Sequence, residues 1–209
     1  MLSARAIVDR QDLLTQAGHI AAAPDANVQI AGPECVWLEH VARQHRANFA
    51  LWHIEDEART PGAADAVLAQ VKRRIDRTNQ LRNDLAEELD RFLLEWLAPQ
   101  GLPRSGAPLH SESPGLMIDR LSILALKIYH THEEMERANA APEHGERNRA
   151  RLAILTEQRG DLAGCLDALW QETLAGTRRF KIYRQMKMYN DPTLNPAIYA
   201  NQKEMENGD

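Results

Sequence analysis

From Ala63 to Leu97 the chain runs without a single glycine or proline, and its apolar residues keep one period. At about 100° per residue, Leu68, Val71, Ile75, Ala86, Leu89 and Leu93 fall within one narrow sector. A half-buried strand would alternate with period two, so this pattern predicts an amphipathic helix packed along one face. A helix of this length needs other helices to cover its stripe. No run elsewhere alternates over any length, and there is neither internal repeat nor low complexity.

Breakers divide the rest into further helices. A short helix is expected around Ala4–Ala17. Pro33 and Glu34 open a long one through roughly Arg59, with proline in the first turn and an acid beside it. Thr60, Pro61 and Gly62 end it. Pro99, Gly101, Pro103, Gly106 and Pro108 form a loop after the second long helix. Ser113 can cap a third, with Pro114 at its first position, running to about Ala138. A fourth is expected from about Glu146 to Leu174. The fold class is therefore all-α: a bundle of four long helices with short additional helices at the N- and C-terminal ends. One domain is expected, with a core over about 34–190 and an irregular tail over 191–209.

Composition excludes several classes. The formal net charge of −5 argues against a chain that coats nucleic acid, which needs many phosphate-neutralising cations. No segment approaches the ~20 apolar residues of a membrane span, and Asp9 and Asp12 interrupt any leader-like apolar region. Cys35 and Cys165 have no metal-ligand spacing and are expected to be reduced core thiols in a cytoplasmic protein. A second copy of the chain is the default partner for helices this long.

The apolar stripes are interrupted by polar groups. Asn79 and Arg82 stand in the middle of the second helix's stripe, flanked by Asp76, Asn83, Glu87 and Asp90. On the first helix, Leu38, Val41, Phe49 and Trp52 mark the stripe, while His45, Asn48, Asp56 and Arg59 lie in or beside it, with His53 towards its edge. The third helix is apolar almost all round. There Asp119, Ser122 and Glu133 share a side with Leu126 and His130, and Arg120, Lys127 and Glu134 occupy another. Buried charges are costly unless paired, and Asp119 with Arg82, or Glu55 with Arg59, could simply satisfy each other. That reading is structural. The functional one places a polar ligand site between the first three long helices, where bundles build them. In it Asp56, Asp119 and His130 are the catalytic candidates. Asn79, Arg82, Arg59, Arg120, Lys127 and Arg184 are the ligand-binding ones.

Specific chemistries leave weaker traces. Mg²⁺-dependent nucleotide pyrophosphohydrolases pair E-x-x-E on one helix with E-x-x-D on a neighbour. Glu87-x-x-Asp90 meets the second motif, but Ala58 breaks the first, and a set of Glu55, Asp56, Asp76 and Asp90 is improvised. Di-iron bundles require E-x-x-H, which the chain lacks; His130 precedes Glu133 in the reverse order. His45 through Leu51–Trp52 matches one helix of helical haem dioxygenases, without the acid before Leu51. No G-x-S-x-G or Gly-rich phosphate loop is present. The C-terminal block interleaves Arg178, Arg179, Lys181, Arg184 and Lys187 with Phe180, Tyr183 and Tyr189. It reads either as a docked amphipathic segment or as a phosphate-recognising rim.

Four blocks, NFALWHIEDEAR, IDRTNQLRNDLAEELD, SESPGLMIDRLSILALKIYH and FKIYRQMKMYNDPTLNP, resemble an uncharacterised bacterial family, a domain of unknown function. The likeness spans roughly Gln44 to Pro196. It brings no catalytic residues; what it implies is a neighbourhood of heptosyltransferase-type glycosyltransferases. The expected function is binding of, or action on, a phosphorylated or nucleotide-linked sugar. The alternative is a helical adaptor whose polar core is structural and whose basic C-terminal segment meets a partner.

Overall fold

A computed structural model describes residues 2–20, 33–186 and 193–196. Among these are five α-helices: α1 (Ala4–Ile20), α2 (Pro33–Glu57), α3 (Asp65–Leu97), α4 (Pro114–Glu136) and α5 (Pro142–Leu174). A 3₁₀ turn, Ala98–Gln100, follows α3. There is no strand among the described residues, only a parallel bridge between Leu109 and Arg179. The architecture is all-α, as the periodicity requires. α5 starts at Pro142 rather than near Glu146, because a proline at the first helical position gives up an N–H that has no partner there anyway.

α4 is the centre of the molecule. It packs against α5 on one side and against α2 and α3 on the other, and α1 lies in contact with α2, α4 and α5. Its nearly all-round apolar sequence follows from that position. Met117, Ile118 and Leu121 meet Leu89, Leu93 and Leu97 of α3, Trp37 and Val41 of α2, and Leu166, Leu169 and Trp170 of α5 in one core. Leu2, Ala4 and Ile7 belong to the same core, so it reaches upstream of α2. Cys165 is exposed and does not enter it; the Cys35 side chain lies outside the described residues.

The N-terminus of α4 is held against α3. Ser113 caps it, its side chain accepting from Leu116 N–H. The Ser113 hydroxyl donates to Asp90, whose other oxygen accepts Gly115 N–H at 2.7 Å. A Cβ on Gly115 would stand 2.2 Å from the Ala86 carbonyl oxygen, so only glycine permits this approach. Beyond α5, Arg179 N–H donates to Pro108 O and His110 N–H to Arg179 O. Phe180 is buried, which is the docked form of the basic-aromatic block. Lys187, Tyr189 and residues 190–192 lie outside the described residues.

Candidate functional site: a pocket beside a buried carboxylate

Asp119, 7% exposed, points from α4 towards α2 and α3. Arg82 of α3 meets it with two nitrogens, Nε to Oδ1 at 2.8 Å and Nη2 to Oδ2 at 2.5 Å. From α2, Gln44 Nε2 donates to Oδ1 at 2.6 Å and Asn48 Nδ2 at 3.0 Å. Gln44 and Asn48 are one turn apart, so a single face of α2 delivers both amides. Bidentate pairing with added hydrogen bonds is the geometry that offsets the cost of burying a charge. Asp119 also holds Arg82 in its charged form, raising the guanidinium further through their hydrogen bonds, against the opposing effect of burial.

The network continues in one direction. Asn48 Nδ2 also donates to Ser122 Oγ at 3.0 Å, and Ser122 Oγ lies 2.8 Å from His45 Nδ1. His45 Nε2 lies 3.0 Å from Thr15 Oγ1, whose hydroxyl donates to Gln11 O. A threonine hydroxyl with its proton on a carbonyl can only accept from the histidine. The proton of His45 is therefore on Nε2, and Nδ1 accepts from Ser122. Burial, with a smaller contribution from Arg46, lowers its pKa to about 4 and keeps the ring neutral. Gln11 Nε2 closes the chain on Ile118 O at 3.1 Å. Four helices are thus joined by one polar thread.

A cavity of about 300 Å³ opens beside this thread. Leu51, Trp52, Ile123 and Leu126 form its apolar side, and Asn48, Arg82, Glu55, Asp56 and Arg59 its polar side. Asp56 is exposed, and Arg59, paired with Glu55 at 2.8 Å, is largely so. They stand at the mouth rather than continuing the inward face.

The expected site residues divide accordingly. Arg82, Asp56 and Arg59 are brought to the pocket, with Asp119 behind its wall. Asn79, half-buried one turn before Arg82, is not among its walls. His130 is not among its walls either; it stacks on Trp52 with ring centroids 4.8 Å apart and bonds Glu133. Arg120 and Lys127 face the other way, into a larger cavity of about 610 Å³ between α4 and α5 with Glu112, Asp161 and Cys165. There Arg120 is paired with Glu112 at 2.7 Å. Arg184 is exposed on the segment after α5. Gln44 and Trp52, not among the expected site residues, are central here. Gln44 could have been found from its i,i+4 spacing to Asn48.

The carboxylates of the Mg²⁺ reading are dispersed. Glu55 pairs with Arg59, Asp76 with Lys72, and Asp90 with the start of α4. As the side chains lie, no three Asp, Glu, His or Cys groups among the described residues converge to hold an ion. None of the described helices is long and apolar enough to cross a membrane.

No curated protein and no solved structure matches the chain. A family model does, over residues 38–182, which include the pocket and every donor to Asp119, and its description is "Protein of unknown function (DUF4254)". The chain belongs to that family.

Proposed function

We propose that the protein binds a small phosphorylated or nucleotide-linked sugar in the pocket between α2, α3 and α4. The observation that carries this reading is the pairing of an indole wall, Trp52, with Asp56, Arg59 and Arg82 around one cavity of small-ligand size. A sugar ring or base offers an apolar face for Trp52 and hydroxyls for the mouth carboxylates. Arg82 spends Nε and Nη2 on Asp119 and Arg59 spends Nη1 on Glu55, which leaves Nη1 of Arg82 and the other two nitrogens of Arg59 for the anionic group. Asp119 is saturated by four protein donors. It serves as the anchor of Arg82, and the carboxylate placed to act on a ligand is Asp56. Binding therefore has more support than catalysis.

The adaptor reading draws on the same saturation, because Asp119 finds all four of these donors within the protein. A thermal-shift panel separates the two. UDP-glucose, ADP-glucose, glucose 1-phosphate and glucose 6-phosphate are the probes. Ligand at a hundred times its Kd stabilises by about 2.7 kcal/mol. That corresponds to a rise of several degrees in Tm for a chain of this size, roughly 2–4 °C per kcal/mol. The expected result is a rise with at least one probe, lost in Trp52→Ala and reduced in Arg59→Gln. Silence across the panel would favour the adaptor.

A further inference from the structure

Three histidines lie together outside the pocket. His19 near the end of α1, His53 of α2 and His130 of α4 have ring centroids 5.2 Å (19 to 53), 4.9 Å (19 to 130) and 6.1 Å (53 to 130) apart. Aromatic side chains surround them. Tyr129 stacks on His19 at 4.3 Å, Trp52 on His130 at 4.8 Å, and Phe49 meets His53 edge-on at 4.6 Å.

Their hydrogen bonds define where the lone pairs are. His19 Nδ1–H donates to Thr15 O at 2.7 Å, and His130 Nδ1–H to the Glu133 carboxylate at 2.8 Å. A carbonyl and a carboxylate only accept, so each neutral ring carries its proton on Nδ1 and its lone pair on Nε2. Both Nε2 atoms are buried and have no hydrogen-bond partner among the described residues. A buried acceptor without a donor is costly, and each such atom calls for a physical explanation. Two of them in one aromatic enclosure call for a common one.

We propose that His19, His53 and His130 form a binding site for a divalent late transition-metal ion of the zinc, cobalt or nickel class. Neutral imidazole nitrogen suits these ions, whereas Mg²⁺ and Ca²⁺ require oxygen. A backbone carbonyl and a carboxylate on Nδ1 are the outer partners that orient metal-ligating histidines and raise their basicity. With Nε2 about 2.0–2.1 Å from a tetrahedral ion, three imidazole centroids stand roughly 5 Å apart. Two of the three separations here already have that value, and the third is about an ångström wider. The donors do not converge on one point as the side chains lie. Binding therefore includes a rotation of His53, the ring of the three that has no hydrogen bond among the described residues to hold it. Three protein ligands leave a fourth position for solvent. The site is independent of the sugar-binding reading.

Chelator-treated protein titrated with Co²⁺, with visible absorption as the readout, tests this. The expected result is a saturable four-coordinate Co²⁺ spectrum at one ion per chain, displaced by Zn²⁺ and not by Mg²⁺. His53→Phe and His130→Phe keep the rings without the donors, and each should weaken binding at least tenfold. His132→Ala, at an exposed histidine beside Glu136, should leave it unchanged. Metal-free thermal melts check that the variants fold, and His19→Gln and His53→Gln replace any that do not. A wild type without a saturable spectrum overturns the proposal. So does a spectrum that survives in folded variants of the trio, or one that disappears in His132→Ala.

Discussion

At the scale of single residues, the molecule's most committed side chain is Asp119. Removing Arg82 alone leaves a buried carboxylate with only the Gln44 and Asn48 amides. Breaking a buried pair from one side costs about 3–5 kcal/mol, whereas replacing both partners by apolar groups is often close to neutral. Arg82 is about a quarter exposed, which places Arg82→Met near the lower end. Arg82→Met/Asp119→Leu exposes no charge but deprives the Gln44 amide of its acceptor, at about 1–3 kcal/mol, while Asn48 keeps Ser122 and the carbonyl of residue 119. The double variant is therefore expected to be no less stable than the single. Urea unfolding of both singles and the double measures the coupling. Strict additivity would mean that the pair does not act as a unit. Much of this was legible. The helical period put Arg82 in the stripe of α3 and Asp119 on one side of α4, and it put Arg120 and Lys127 on another side of α4. Gln44 was missed, because an amide carries no apolar signal and only its i,i+4 spacing to Asn48 marks it.

At the scale of elements, the α3–α4 contact and the α2–α4 contact carry opposite pH dependences. Burial raises Asp90 to about 7 from its ordinary 3.8, against the lowering effect of its bonds from Ser113 and Gly115. Between those values the folded chain holds a proton that the unfolded chain has released, so stability falls as pH rises through the window. His45, lowered to about 4 from 6.5, works the other way. Over that interval the unfolded chain binds the extra proton, and stability is lost as pH falls. Asp90→Asn keeps the shape of the protonated acid and an acceptor for Gly115 N–H, with the Ser113 hydroxyl turned to accept from the new amide nitrogen, and removes the first dependence. The variant should gain on the wild type steadily from pH 4 to about pH 7 in urea midpoints and then hold a constant lead. Between about 4 and 6.5 its own stability should rise with pH, under the influence of His45. A constant difference across the range would show that Asp90 titrates as an ordinary carboxylate. The Ser113–Pro114 start of α4 was legible from capping rules alone. The role of Gly115 was not, since it depends on the Ala86 carbonyl of another helix.

For the whole molecule, the least legible element is α1. Its inward positions include Gln11 and Thr15 beside Ala4 and Ile7, so apolar periodicity underestimates how much of it is buried. The sequence therefore reads as a short addition to a four-helix bundle. In the structure Ile7 is fully buried in the common core, Gln11 and Thr15 end the polar thread, and Asp12 pairs with Arg159 of α5 at 2.8 Å. An appended helix would unfold by itself, whereas an integral one unfolds with the bundle. Ile7→Ala removes methylene and methyl groups that have no solvent route to relax, at about 2–5 kcal/mol. Trp37, Trp52, Trp96 and Trp170 all lie on α2, α3 and α5, so their fluorescence follows the bundle without reporting α1 directly. In Ile7→Ala that fluorescence is expected to shift to a lower urea midpoint, together with the far-UV circular dichroism, in one coincident transition. A separate early loss of helix signal, with the tryptophan transition unmoved, would make α1 an addition after all. It would also detach His19 from any site it shares with His53 and His130.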